Sequence, residues 1–271
     1  MKLLSYSFAL LLMLACSSPK EKDKDKQEVK NNTEKQTKAT HPLVASLEKA
    51  HQLDAFQKED LVSFDIELNF NGQDRLKAKI YSTTNSSQVK VVNQEGTELF
   101  FDGSEVWIHP EDSLYQGARF DALTWSYFFM APYKLNDIGT YHSKTKPLPY
   151  QDDSVLETTK LTFGNNVGDS PDDWYVVYQR KEDNLLAAMA YIVTFGGKSE
   201  EKASQNPHAI NYEDYKEIDS IPFAHRWTFW NWSETEGLKD QIGEARISNI
   251  DLTKNAKEIS KKQGSVPVSL N

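Results

Sequence analysis

Apolar residues occupy every second position from Val62 to Phe70: Val62, Phe64, Ile66, Leu68 and Phe70, with Ser63, Asp65, Glu67 and Asn69 between them. Successive side chains of an extended chain point to opposite sides, so this pattern specifies a β-strand with one dry and one wet face. Asn71-Gly72 then offers the residues of a tight hairpin, and Leu76, Ala78 and Ile80 alternate with Arg75, Lys77, Lys79 and Tyr81 on the return. The pattern recurs. Further strands are expected at about 87–92, 97–101 and 105–109, then at 155–163, 174–180, 185–195, 209–218, 222–232 and 242–252. About eleven strands joined mostly by short turns argue for one antiparallel sheet and against βαβ units.

Two segments follow a helical period instead. Leu43, Leu47, Ala50, Leu53 and Phe56 recur every three or four residues behind Pro42, which predicts an amphipathic helix over 42–58. The run from Phe120 to Ala131 (FDALTWSYFFMA) is apolar nearly all round and is followed by Pro132, which predicts a buried helix or lid ending at Ala131. Together the elements define an α+β class. The polar stretch 196–208 reads as an excursion from the sheet, and 253–271 as a flexible C-terminal tail.

The first forty residues read differently. Lys2 precedes a short apolar run, Leu10 to Ala15, that is too short to span a bilayer and describes a signal peptide over 1–15. Met13-Leu14-Ala15-Cys16 resembles a bacterial lipobox, in which cleavage before the cysteine leaves a lipidated N-terminus at Cys16. Each methylene of such a lipid that enters a bilayer contributes about 0.8 kcal/mol. Cys16 is the only cysteine of the chain, so neither a disulfide framework nor a thiolate zinc site is available. Residues 16–40 should then be a tether: 17–40 contain one valine and no aromatic residue, too little apolar surface to offset the entropy of ordering. Eight lysines and five acidic residues make the first forty positions basic; the remainder holds 23 basic and 35 acidic residues, a net charge of −12. A remainder so acidic, made up mostly of a domain over 41–252, is not expected to bind nucleic acid, whose phosphates require a basic surface.

Several segments carry a family resemblance. Phe101-Asp102-Gly103 followed by Val106-Trp107, then YFFMAPYKLNDIG, GDSPDDWYVVYQ and AYIVTF, resemble a family of Bacteroidota lipoproteins close to the LolA/LolB-like lipoprotein-carrier superfamily. The resemblance covers about 42–252. It implies a strongly curved antiparallel half-barrel wrapped around helices, with an apolar concave face able to hold acyl chains, and it implies no catalytic residues. A lipid-anchored member is closer to the outer-membrane acceptor than to the soluble carrier. The implied location is the cell envelope, at the outer membrane, with its face left open.

Little in the chain suggests catalysis. The six histidines are scattered and read as strand or surface residues; there is no His-Glu-x-x-His helix, Gly-x-Ser-x-Gly elbow or phosphate-cradling glycine loop. Asp169, Asp172 and Asp173 could offer oxygen ligands to calcium, but the EF-hand spacing is lacking and Pro171 suits a hairpin turn. No metal or cofactor is expected. The aromatic residues are more informative. His225, Trp227, Phe229 and Asn231 share one face of the 222–232 strand, and Arg226, Thr228, Trp230 and Trp232 share the other. Tryptophans on both faces mean either that both are packed by the protein itself or that part of the set lines a ligand cavity. Under the second reading the candidate ligand-binding residues are Phe64, Ile66, Trp107, Trp125, Phe128, Phe129, Tyr133, Trp227 and Phe229. The function expected is that of a non-enzymatic, lipid-anchored envelope protein, attached to the membrane through Cys16. It would bind a hydrophobic small molecule, lipid or lipoprotein, with helix 120–131 as a lid. The alternative is a protein- or glycan-interaction scaffold with a self-filled core.

Overall fold

The computed structural model describes residues 40–165 and 167–269; the expected signal peptide, Cys16 and nearly all of the tether lie outside them. Among the described residues, fourteen strands form a single antiparallel sheet. They are β1 (Leu61–Phe70), β2 (Gln73–Thr83), β3 (Val89–Asn93), β4 (Glu98–Phe101), β5 (Val106–His109), β6 (Thr140–His142) and β7 (Lys146–Pro149). The chain continues through β8 (Val155–Phe163), β9 (Trp174–Gln179), β10 (Leu186–Tyr191), β11 (His208–Ile218), β12 (Ile221–Ser233), β13 (Gly237–Thr253) and β14 (Val266–Val268). The spatial order is 14-5-4-3-2-1-13-12-11-10-9-8-6, with β7 also paired to β8. The two ends of this path do not pair with each other, so the sheet is open.

Three strands escaped the sequence reading. β7 (KPLP) carries two prolines and pairs only with β8, an edge position where missing N–H donors cost nothing. β6 is a three-residue strand beside it. β14 lies in the segment expected to be a loose tail: it pairs with β5, and Ile259 just before it is buried against Leu61 and Phe100.

The helices also differ from expectation. The single helix over 42–58 is two, α1 (Pro42–Ala50) and α2 (Leu53–Phe56), separated at Gln52, whose backbone is left-handed (φ 56°). The central helix, α3 (Ala118–Lys134), runs through Pro132 instead of stopping before it. A proline at this position removes the N–H that would bond to the carbonyl four residues back, here Phe128. That carbonyl accepts instead from the Tyr212 hydroxyl of β11 at 2.9 Å. A tertiary hydrogen bond thus supplies what local chemistry takes away.

α3 packs against β2, β3, β4 and β5, and also meets β9 and β10 through the Tyr127–Tyr175 and Phe128–Tyr191 ring contacts. β5 and β9 are nine strand spacings apart, about 43 Å across a flat sheet. A helix about 25 Å long and 10–12 Å thick cannot reach both, so the sheet must bend. The central interlock is aromatic: Phe129 stacks on Phe64 with centroids 4.0 Å apart, and Tyr133 stacks on Phe56 at 3.8 Å.

The opposite face of the sheet is packed too. Trp174, Val176, Tyr178, Ala188, Ala190 and Trp232 form a second apolar cluster, roofed by Leu148 of β7 and by Ala203 of a short helix, α4 (Glu200–Ala203). The Trp232 indole donates to the Tyr178 hydroxyl at 2.9 Å, which donates to the Pro149 carbonyl at 3.1 Å. Tryptophans on both faces of β12 therefore reflect two packed faces.

His51 is the exception among histidines read as surface or strand residues. It ends α1, is 1% exposed, and its Nε2 accepts the Leu186 N–H at 3.0 Å, tying the N-terminal helices to β10. Burial pushes its pKa down to about 3, whereas an unfolded histidine titrates near 6.5. Between those values the unfolded state binds the extra proton, so this group's contribution to stability rises from about pH 3 to about 6.5 and is lost on acidification. Glu48 opposes it. Burial first, and then the Asp137 carboxylate, push its pKa up to about 7, so its cost appears as pH rises from about 4.5 to 7.

Two outcomes are expected. Tyr212→Phe leaves the Phe128 carbonyl buried without a donor and should lower unfolding free energy by about 1–3 kcal/mol in urea titration; an unchanged midpoint would show that α3 tolerates Pro132 unaided. Urea midpoints measured from pH 4 to 8 should fall less steeply toward acid in His51→Gln than in the unaltered chain, while Glu48→Gln should remove the loss between pH 4.5 and 7. Parallel curves for all three proteins would refute both assignments.

Candidate hydrophobic ligand cavity

α3 presents two apolar stripes. Ala122, Trp125, Phe129 and Tyr133 recur at three- and four-residue steps, face the sheet and are buried. Phe120, Leu123 and Tyr127 recur at the same steps on another side and are only half-buried. Beside this second stripe lies a cavity of about 770 Å³, within the range of about 300–1,000 Å³ occupied by small-molecule sites. Its other walls come from Phe163 of β8, Tyr175 of β9 and Tyr191 of β10, from Phe70 and Phe101 across the bend, and from residues 167–170 and Ile138.

The polar groups around the cavity hold its walls in place. Arg119, 5% exposed, donates from Nε and Nη2 to the two Asp169 carboxylate oxygens at 2.5 and 2.9 Å, fixing the 167–170 segment to the start of α3. Asp121, 1% exposed, accepts from Arg75 at 2.7 Å, from the Tyr115 hydroxyl at 2.9 Å and from the Trp125 indole at 3.0 Å, so the Trp125 ring has a defined orientation. Asp173 accepts from the Thr194 N–H and hydroxyl at 2.7 and 2.8 Å. Asp169 and Asp173, two of the three aspartates weighed as calcium ligands, are thus engaged separately, and no group of three potential metal ligands occurs among the described residues.

Of the candidate ligand-binding residues, Trp125 and Phe128 line the cavity. Phe64, Ile66, Phe129, Tyr133, Trp227 and Phe229 do not; they form the packed interior between α3 and the sheet, none more than 6% exposed. The space beside Phe129, Tyr133 and Trp227 is about 10 Å³, room for about one water. Trp107 lies elsewhere, against Leu61 and Phe100, with its indole donating to Asp102 at 2.8 Å and the Lys261 ammonium 3.5 Å from its ring centre. Cys16 lies outside the described residues.

Sequence reasoning missed Phe120, Leu123, Tyr127, Phe163, Tyr175 and Tyr191 as wall residues. The first three carried a signal, the 120/123/127 spacing of a second helical stripe. Tyr175 carried none, because Trp174 to Tyr178 are apolar or aromatic throughout and do not reveal which face looks inward.

A second, polar groove of about 1,000 Å³ is lined by Glu67, Lys77, Arg226 and Glu244 among others. Its charges neutralise one another: Lys77 pairs with Glu67 at 2.6 Å, and Arg226 with Glu213 at 2.5 Å and Glu244 at 3.3 Å. It offers no concentrated field to a charged ligand.

No protein-family profile matches the chain, and no curated protein matches it. Solved structures do. A DUF1329-family protein from Desulfovibrio piger aligns at 13% identity over 82% of this chain and all of its own, with a TM-score of 0.48. An outer membrane lipoprotein-sorting protein domain from Vibrio parahaemolyticus aligns at 11% identity over 80% of this chain and 95% of its own, with a TM-score of 0.47. A LolA-superfamily protein from Nitrosomonas europaea aligns at 13% identity over 80% of this chain and 96% of its own, with a TM-score of 0.52. The chain therefore resembles the LolA-like superfamily in fold: an open, mostly antiparallel sheet with few helices.

Proposed function

We propose that this chain is a non-enzymatic cell-envelope protein, anchored at the outer membrane through a lipid on Cys16, that holds a hydrophobic ligand in the cavity beside α3. The ligand class is an acyl chain, a lipid or the acylated end of a lipoprotein. The observation that carries this reading is the cavity itself, a space of about 770 Å³ walled by aromatic and aliphatic side chains against a helix whose second apolar stripe is only half-buried by the protein. Aromatic walls with a few convergent polar groups suit an apolar ligand. Each methylene moved from water into such a site contributes about 0.8 kcal/mol before the costs of association. The LolA-like fold and the sequence resemblance to lipoprotein carriers support the same ligand class.

In this reading α3 is a wall and not a lid. Lifting it would expose Trp125, Phe129, Met130 and Tyr133, all buried in the main core. The scaffold alternative draws support from the packed interior around Phe64, Phe129 and Trp227, which is filled by the protein's own side chains; it leaves the space beside Leu123 and Tyr127 without a purpose. No helix of the described residues is long and apolar enough to cross a membrane, so attachment in this proposal rests on Cys16.

Full-length Cys16→Ser protein should take up the uncharged fluorophore N-phenyl-1-naphthylamine and carry co-purified lipid in native mass spectra. Leu123→Arg, which puts a cation into the wall, should weaken uptake at least about tenfold, and Trp107→Ala should leave it unchanged. Uptake insensitive to Leu123→Arg would remove the cavity from consideration. Separately, cells fed radiolabelled palmitate should label the unaltered chain and not Cys16→Ser, and only the former should partition into Triton X-114; equal labelling of both would refute the anchor.

A further inference from the structure

One end of the cavity is polar. Tyr127, Tyr175 and Tyr191 bring three phenol rings together there, with centroids 5.4 Å apart for Tyr127–Tyr175 and 6.4 Å for Tyr175–Tyr191. Other tyrosines of the interior spend their hydroxyls on the protein: Tyr212 donates to the Phe128 carbonyl and Tyr215 to the Leu186 carbonyl, each at 2.9 Å. Among the described residues, the hydroxyls of Tyr127, Tyr175 and Tyr191 have no such partner, and all three side chains line the cavity. Burial pushes the pKa of all three upward, so they stay protonated donors.

Asp173 lines the same cavity. Both bonds from Thr194 go to its Oδ1, which leaves Oδ2 without a protein donor among the described residues. The remaining charges along the lining are paired: Arg75 with Asp121, Lys134 with Asp137, and Asp169 with Arg119. Asp173 is thus the lining charge with no ion-pair partner among the described residues. Burial raises its pKa, Asp172 raises it further, and the Thr194 bonds and nearby Lys198 oppose the rise. His208, the other titratable lining group, is held below its ordinary pKa by burial and then by Lys198, so it adds no positive charge at pH 8.

We propose that this end of the cavity selects an uncharged, hydroxyl-bearing acyl lipid, such as an acylglycerol, over a fatty-acid anion. The inference rests on the cavity being a ligand site. A hydroxyl both accepts, as the phenols require, and donates, as Asp173 Oδ2 requires. A carboxylate only accepts, leaves Oδ2 unpaired, and sets a second negative charge beside Asp173 where little water screens it. Sites built around buried polar groups discriminate strongly against ligands that leave those groups unmatched.

The test is displacement of N-phenyl-1-naphthylamine from full-length Cys16→Ser protein at pH 8, by monoolein or by oleate, each below its aggregation concentration. Monoolein is expected to displace the probe at an at least tenfold lower concentration, about the effect of one charge-assisted contact. Asp173→Asn keeps the Oδ1 acceptor for Thr194 and should narrow the gap to about threefold or less by improving oleate. Tyr191→Phe should weaken monoolein about fivefold after correction for the variant's own affinity for the probe. Oleate displacing as well as monoolein, or a gap unchanged by Asp173→Asn, overturns the inference while leaving the cavity as an apolar site. Failure of the probe to bind at all overturns the cavity and this inference together.

Discussion

A helix that is apolar on nearly every side has to be covered on every side, and α3 imposes that requirement on the rest of the molecule. One stripe is met by the sheet, which must bend for strands as distant as β5 and β9 to touch the same helix. The bend in turn juxtaposes side chains far apart in sequence, such as Phe70 and Phe101 with Phe163 and Tyr191 along the cavity wall. The other stripe is left half-covered. An apolar surface held in that state loses the contacts that a filled interior would give it, and it persists where something else can supply them.

The same helix depends on the sheet for its length. Pro132 would ordinarily end it near Ala131, and the Tyr212 hydroxyl restores the lost bond at Phe128. The last turn then carries Tyr133 onto Phe56 and Lys134 onto Asp137. Helix and sheet are coupled through this bond: β11 sets how far α3 runs, and α3 sets where the cavity ends.

Period-two alternation made the central strands legible, because β1 and β2 each keep one face for the core and the signal survives wherever the two faces differ. It failed at β7, where prolines and lysine carry no apolar pattern and pairing to β8 alone makes the strand. It also failed at β14, whose partner β5 lies about 160 residues earlier in the chain. The aromatic richness of α3 was legible, but its division into a core stripe and a cavity stripe was not. Phe129 and Leu123 are both apolar, and only the position of the sheet decides that one stacks on Phe64 while the other faces open space. For the same reason the sequence could not tell that Phe64, Ile66, Trp227 and Phe229 lie in the packed interior and not along the cavity. Trp107 lies elsewhere: its strand has the expected period, but parity puts it on the far face beneath the C-terminal segment.

Ion pairs with one partner withdrawn from water are poor sources of stability, since desolvating a charge offsets much of the attraction. Their occurrence around this cavity therefore calls for another account. Arg119–Asp169 and Arg75–Asp121 each join α3 to a segment distant in sequence, with Arg119 and Asp121 buried and their partners partly exposed. Directional bonds hold the walls apart in a way that non-directional apolar contact cannot, because collapse would leave the buried Arg119 and Asp121 charges unpaired. Asp121 adds the orientation of the Trp125 ring through its indole N–H. On this view the charges at the rim keep a hydrophobic cavity open, and a ligand entering it meets walls already in place, with little ordering left to be done on binding.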